Sequence, residues 1–135
     1  MGTVTRTVCF TDLANYTATV SRSDREGLRR ILEEHERIVR PIVQGYNGRI
    51  VKNLGDSFLI LFQAATDALR AALDIQDLVN ESAEWDIRLA MTTGDVEEIE
   101  GDAFGEAVNL AARILGKAPS KQIWFGPGTR VCMNA

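Results

Sequence analysis

The stretch from Asp24 to Tyr46 constrains the fold more than any other. Leu28, Ile31, Leu32, His35, Ile38, Val39, Ile42, Val43 and Tyr46 recur there at spacings of three and four, which lines one side of a helix with apolar groups. Pro41 lies inside the pattern and predicts a bend, because proline removes a helical hydrogen bond. His35 sits on the stripe itself, so we expect a packed core residue there rather than a ligand or base.

A stripe of that length needs an extended surface to bury against, and the flanking segments supply one. Val4 to Thr11 alternates and is rich in β-branched residues, as strands are. Asn47-Gly48 closes the helix. Arg49 to Lys52 and Ser57 to Phe62 read as two strands joined by a tight turn, Asn53-Leu54-Gly55-Asp56. Ala65 to Val79 is a second helix, with Ala68, Leu69, Ala72, Ile75, Gln76 and Val79 along one side. Ile87 to Thr93 is a strand with Ile87, Leu89 and Met91 on one face and Arg88, Ala90 and Thr92 on the other. Glu97 to Gly101 reads as a polar turn, Glu106 to Leu115 as a helix, Gln122 to Phe125 as a short strand, and Pro127 as a helix start.

The order β, α, β, β, α, β with additions predicts an α+β, ferredoxin-like domain over residues 1–135, an antiparallel sheet with helices on one face and the other face open. Hydrophobic residues make up 45% of the chain, enough for a core without disulfides. Cys9 and Cys132 are the two cysteines, which favours a reducing, cytoplasmic setting over a disulfide framework. No apolar run reaches the ~20 residues of a membrane span, and the N-terminus lacks the pattern of a signal peptide. A net charge of −4 argues against a nucleic-acid partner.

Several polar positions invite a chemical reading. Asp12 follows Phe10-Thr11 at a strand end, and Asp56 sits in the hairpin turn. The fold makes these places neighbours, and two carboxylates can share hard cations such as Mg²⁺; each alone would be a solvated strand end or a turn former. Asn109 and Arg113 are four apart on a small, apolar helix and share a face. A donor and an arginine so placed can hold an anion, though such a pair by itself is also an ordinary polar surface. Lys52 ends a strand and Asp102 precedes the Asn/Arg helix. A lysine can donate to N1 of adenine and a carboxylate accept from its 6-amino group, where guanine offers the opposite pattern; by default the two are a strand-end lysine and a turn aspartate.

Together the segments Phe10-Thr11-Asp12-Leu13, Lys52-Asn53-Leu54-Gly55-Asp56 and Asp102-Ala103-Phe104-Gly105-Glu106-Ala107-Val108-Asn109-Leu110-Ala111-Ala112-Arg113 resemble, in order and spacing, the signature segments of class III adenylate and guanylate cyclases. The resemblance runs from about Val4 to Phe125. It implies an adenylate cyclase that forms 3′,5′-cyclic AMP and pyrophosphate from ATP, working as a homodimer. Asp12 and Asp56 resemble the metal-binding aspartates for two Mg²⁺ or Mn²⁺ ions per site, with the carbonyl of Leu13 as a further ligand. Lys52 and Asp102 resemble the base-reading pair of adenine-specific members. Asn109 resembles the ribose-orienting residue, and Arg113 the one that stabilises the transition state. The metal aspartates of one chain are implied to face the other four residues on its partner. Fused regulatory domains outside this chain are expected.

The chain departs from the family pattern in three places. Ala14-Asn15-Tyr16-Thr17 stands where many members carry glycine and where backbone N–H groups meet phosphates. Asn15 tolerates left-handed geometry, so Asn15, Tyr16 and Thr17 are expected to line the substrate. Ser57 replaces a common glycine or alanine. Most members continue past the equivalent of Ala135 with a helix and strands, some supplying a phosphate-binding lysine. Three other readings compete. A catalytically silent cyclase-like domain would bind nucleotide or dimerise without turnover. An RNA-recognition module would need Phe58 and Phe62 facing outward. A diguanylate cyclase would need a Gly-Gly-acidic-acidic-Phe turn, which is absent.

Overall fold

A computed structural model of the chain describes residues 2–14 and 25–129. The elements are β1 (Val4–Ala14), α1 (Arg25–Gly45), β2 (Arg49–Asn53), β3 (Ser57–Phe62), α2 (Ala65–Ser82), β4 (Asp86–Ile99), β5 (Asp102–Phe104), α3 (Glu106–Leu115) and β6 (Ile123–Phe125). The strands order as β2-β3-β1-β4, all antiparallel. On the outer edge of β4, β5 pairs antiparallel with its far end and β6 parallel with its middle. This is the ferredoxin-like order expected of the sequence.

Alternation sorts the side chains between the two faces. Cys9, Leu13, Phe58, Ile60, Phe62, Ile87, Leu89 and Met91 pack against the stripes of α1 and α2. His35 is fully buried there, its ring stacked on Phe58 at 4.3 Å and edge-on to Trp85 at 6.0 Å. Its Nε2 lies 3.0 Å from Thr11 Oγ1, which also accepts from the Phe58 N–H at 3.1 Å. The expectation of a core histidine is met. Phe58 and Phe62 point into this layer, which removes the RNA-binding alternative.

The opposite face is not wholly open. Ala107 and Ala111 of α3 bury against Val8, Phe10, Leu59 and Leu61, so α1 and α2 lie on one face and α3 on the other. The small residues of α3 let it approach closely, and Thr92 Oγ1 donates to the Ala107 carbonyl.

Several element bounds differ from the sequence reading. β1 continues to Ala14, so Asp12 lies inside the strand, paired across to Ser57 and Arg88. The expected polar turn at Glu97 to Gly101 is mostly strand. Glu97–Ile99 extend β4, and the turn is only Glu100-Gly101, both at positive φ (48° and 77°). That geometry suits a two-residue hairpin. The glutamates are tolerated in the strand because Glu98 pairs with Arg6 and Arg49. α1 runs through Pro41 without interruption, and Leu28 is exposed rather than buried. No helix among the described residues is long and apolar enough to cross a membrane.

Candidate functional site

The face bearing α3 collects most of the polar positions singled out by the sequence. Asp12 follows Val8 and Phe10 on it, and the Asp12↔Arg88 register sets Arg88 alongside. Arg88 Nε and Nη2 both donate to Asp12 Oδ2, at 2.9 and 2.6 Å, and Nη1 donates to the Ala118 carbonyl at 3.2 Å. The Leu13 N–H donates to the Asp56 carbonyl at 3.0 Å, so Asp12 in β1 and Asp56 in the turn before β3 are close neighbours, as expected. Burial raises the Asp12 carboxyl above the usual range; Arg88 opposes that shift, and the charge of Asp56 adds to it.

Lys52 reaches the same face by a local irregularity. Arg49 pairs with Leu61 and Ile50 with Ile60, but Lys52 pairs with Leu59. One residue, Val51, is extra. Regular pairing would set Lys52 opposite Phe58, under α1 and α2; the bulge turns it to the side of Leu59. There Lys52 Nζ meets Asp102 Oδ2 at 3.0 Å. Asp102 is held by its own strand, Oδ1 accepting the Ala103 N–H at 2.8 Å. That backbone bond first, and Lys52 second, lower its pKa.

Gly105 then starts α3 at φ 136°, where a Cβ would lie 2.8 Å from the Asp95 carbonyl oxygen. Only glycine suits both the dihedral and the space. This junction sets the rotation of the helix: Ala107 and Ala111 turn to the sheet, and Asn109 and Arg113 turn outward, exposed. In one chain the structure thus brings Asp12 beside Asp56 and Lys52 beside Asp102, with Asn109 and Arg113 one helical turn apart. Asn15, Tyr16 and Thr17 lie outside the described residues.

Arg88 escaped the sequence reading as a site residue. Its signal was a lone cation on the polar side of an otherwise apolar strand, Ile87-Arg88-Leu89. Among the described residues no cluster of three or more His, Cys, Asp or Glu side chains is arranged to hold a metal ion. Two carboxylates still suffice for a cation such as Mg²⁺ that completes its shell with water and phosphate oxygens. The oxygen-only donors and the cation already seated on Asp12 fit that use.

Comparison with known proteins shows the family to which the chain belongs. Residues 3–135 match the family described as adenylate and guanylate cyclase catalytic domain. The chain is similar to an uncharacterised protein of Mycobacterium tuberculosis, 34% identical over 121 residues, covering 89% of this chain and 32% of that protein. It is 32% identical over 117 residues to an adenylate cyclase of Streptomyces coelicolor, covering 86% of this chain and 31% of the relative. It spans about a third of the length of these curated relatives. The crystal structure of an adenylate/guanylate cyclase/hydrolase from Silicibacter pomeroyi superposes with a TM-score of 0.86 at 27% identity, covering 98% of this chain and 81% of that one.

Proposed function

Because the chain belongs to the adenylate and guanylate cyclase catalytic-domain family, we propose that it is an adenylate cyclase domain. It converts ATP to 3′,5′-cyclic AMP and pyrophosphate at sites shared between two copies of itself. One observation carries the choice of ATP, the pairing of Lys52 with Asp102 at 3.0 Å on an exposed surface. The ammonium only donates and the carboxylate only accepts. An adenine edge entering between them exchanges one Lys–Asp bond for one bond to each. A guanine edge would set donor against donor. The exposed pair itself is worth little, so opening it costs little. The adenylate cyclase among the relatives supports the same choice.

The reaction is an in-line attack of the ribose 3′-hydroxyl on the α-phosphorus, with pyrophosphate leaving. Asp12 and Asp56, with the Leu13 carbonyl, would hold two divalent ions, Mg²⁺ or Mn²⁺. Bound there, such ions make the hydroxyl more acidic and offset the triphosphate charge. Arg113 meets the charge that grows on the α-phosphate. Asn109 holds the ribose so that the hydroxyl stays in line. Leu54 and Phe104, exposed apolar residues two positions from Lys52 and Asp102, favour burial of this face by a partner chain.

The test is an assay of the purified protein with ATP and GTP, each with Mg²⁺ and with Mn²⁺, products identified by mass spectrometry. Cyclic AMP from ATP, with little cyclic GMP, is expected. Equal use of GTP would remove the role of Lys52 and Asp102. Nucleotide binding without turnover under every condition would favour the silent-domain alternative.

A further inference from the structure

Asp12 Oδ2 carries two hydrogen bonds, both from one guanidinium. These fill the lone pairs of that oxygen. A divalent ion on Asp12 therefore meets Arg88 either as a competitor for Oδ2 or as a like charge a few ångströms away. The third donor of the same guanidinium holds the carbonyl of Ala118. Ala118 is buried, and it ends the turn that follows α3, where its N–H bonds back to Ile114 and Leu115. Three residues on, the Lys121 N–H donates to the Ile87 carbonyl, next to Arg88. One planar side chain thus ties the carboxylate of Asp12 to the turn behind the helix bearing Asn109 and Arg113.

We propose that Arg88 is a built-in counter-cation that alternates with a divalent metal on Asp12, and that metal loading releases its hold on the α3–β6 turn at Ala118. This deepens the proposed function and rests on Asp12 being a metal ligand. The geometry accounts for why one residue serves both ends. Arg88 lies in register with Asp12 across β1 and β4, and its fork is wide enough to span carboxylate and carbonyl. If the Asp12 carboxylate turned to a bound metal, two of the three anchoring bonds would be lost together, leaving Arg88 the single bond to Ala118.

The experiment measures Mn²⁺ binding without nucleotide, by electron paramagnetic resonance, on the full chain and three variants. Arg88→Met removes the competing charge and should bind Mn²⁺ at least about fivefold more tightly. Arg88→Lys keeps a charge and should stay near wild type, and circular dichroism checks that Arg88→Met is folded. Asp12→Asn should lose the site. Amide hydrogen exchange supplies the second readout. Mn²⁺ should speed exchange at Ala118 and Lys121 in the wild type. In Arg88→Met, exchange there should already be fast and should ignore the metal. If Asp12→Asn loses Mn²⁺ but Arg88→Met binds it no better than wild type, the counter-cation is refuted while the metal site stands. If Asp12→Asn binds Mn²⁺ unchanged, the metal site fails, and this proposal with it. Wild-type exchange at Ala118 and Lys121 that ignores Mn²⁺ would refute the link to the turn.

Discussion

Lys52 and Asp102, fifty positions apart, meet at 3.0 Å within a single chain. If this pair reads the base, as proposed, it needs no partner to assemble. Exchanging the pair for Lys52→Glu with Asp102→Cys should erode or reverse the preference for ATP over GTP, read as the ratio of the two kcat/KM values. A site built to hydrogen-bond its substrate loses heavily when a group is left unpaired. An unchanged ratio would show that the base is read elsewhere.

The two aspartates should be indispensable to turnover and dispensable to the fold. Asp12→Ala or Asp56→Ala is expected to lower ATP turnover by at least about a hundredfold. Circular dichroism should stay native, because Asp12 is only partly buried and Asp56 lies in a turn. Near-normal activity in both variants would displace the metal site.

Arg113 faces outward from α3, away from the buried alanines. Its removal should cost function without cost to packing. Arg113→Ala should lower kcat by on the order of 10²–10³, as for loss of a preorganised donor at developing charge. A loss confined to KM would assign Arg113 to ground-state binding.

The proposed sharing of sites between two chains makes a mixing prediction. Asp56→Ala and Asn109→Ala should each be almost inactive alone. In a mixed dimer one site collects both defects and the other none. Half of randomly paired dimers are mixed and each has one intact site of two, so activity should return to roughly a quarter of wild type. Subunit exchange is verified separately with labelled chains. Exchange without recovery would end the shared-site reading.

His35 sets an acid limit on stability. Burial pushes its pKa down to about 4, against a smaller opposing pull from Glu36. The unfolded imidazole takes up a proton near its ordinary 6.5, while the folded one stays neutral to about 4. Protons thus favour the unfolded chain across that window. Stability from this group is complete above pH 6.5 and falls as pH drops toward 4, by up to about 3 kcal/mol. His35→Gln removes the titration. The fall in melting temperature between pH 7.5 and pH 5 should be smaller in that variant than in wild type; equal falls would exclude His35 as the cause.

Much of the fold was legible because it rests on period. The three-and-four spacing of α1, the alternation of β1 and β4 and the turn before Ser57 are local properties, and they placed the helices and the four core strands. The polar segments were legible as a set because their spacing along the chain is itself the signal. What was missed is non-local. β5 was hidden because Glu97 and Glu98 look like a turn until Arg6 and Arg49 are seen to neutralise Glu98.

The face that Lys52 occupies was settled only in three dimensions. Counting by twos from Ile50, which packs under α1 and α2, sends Lys52 into the core. The extra residue at Val51 reverses that and delivers it to Asp102. The partner of Asp12 was likewise settled by register, since Arg88 lies 76 positions away. The sequence by itself determined the helices, the core strands and which polar residues exist to be used. Only the tertiary structure decided how those residues meet, because a bulge and a cross-strand register are properties of two strands together and leave no period in either one.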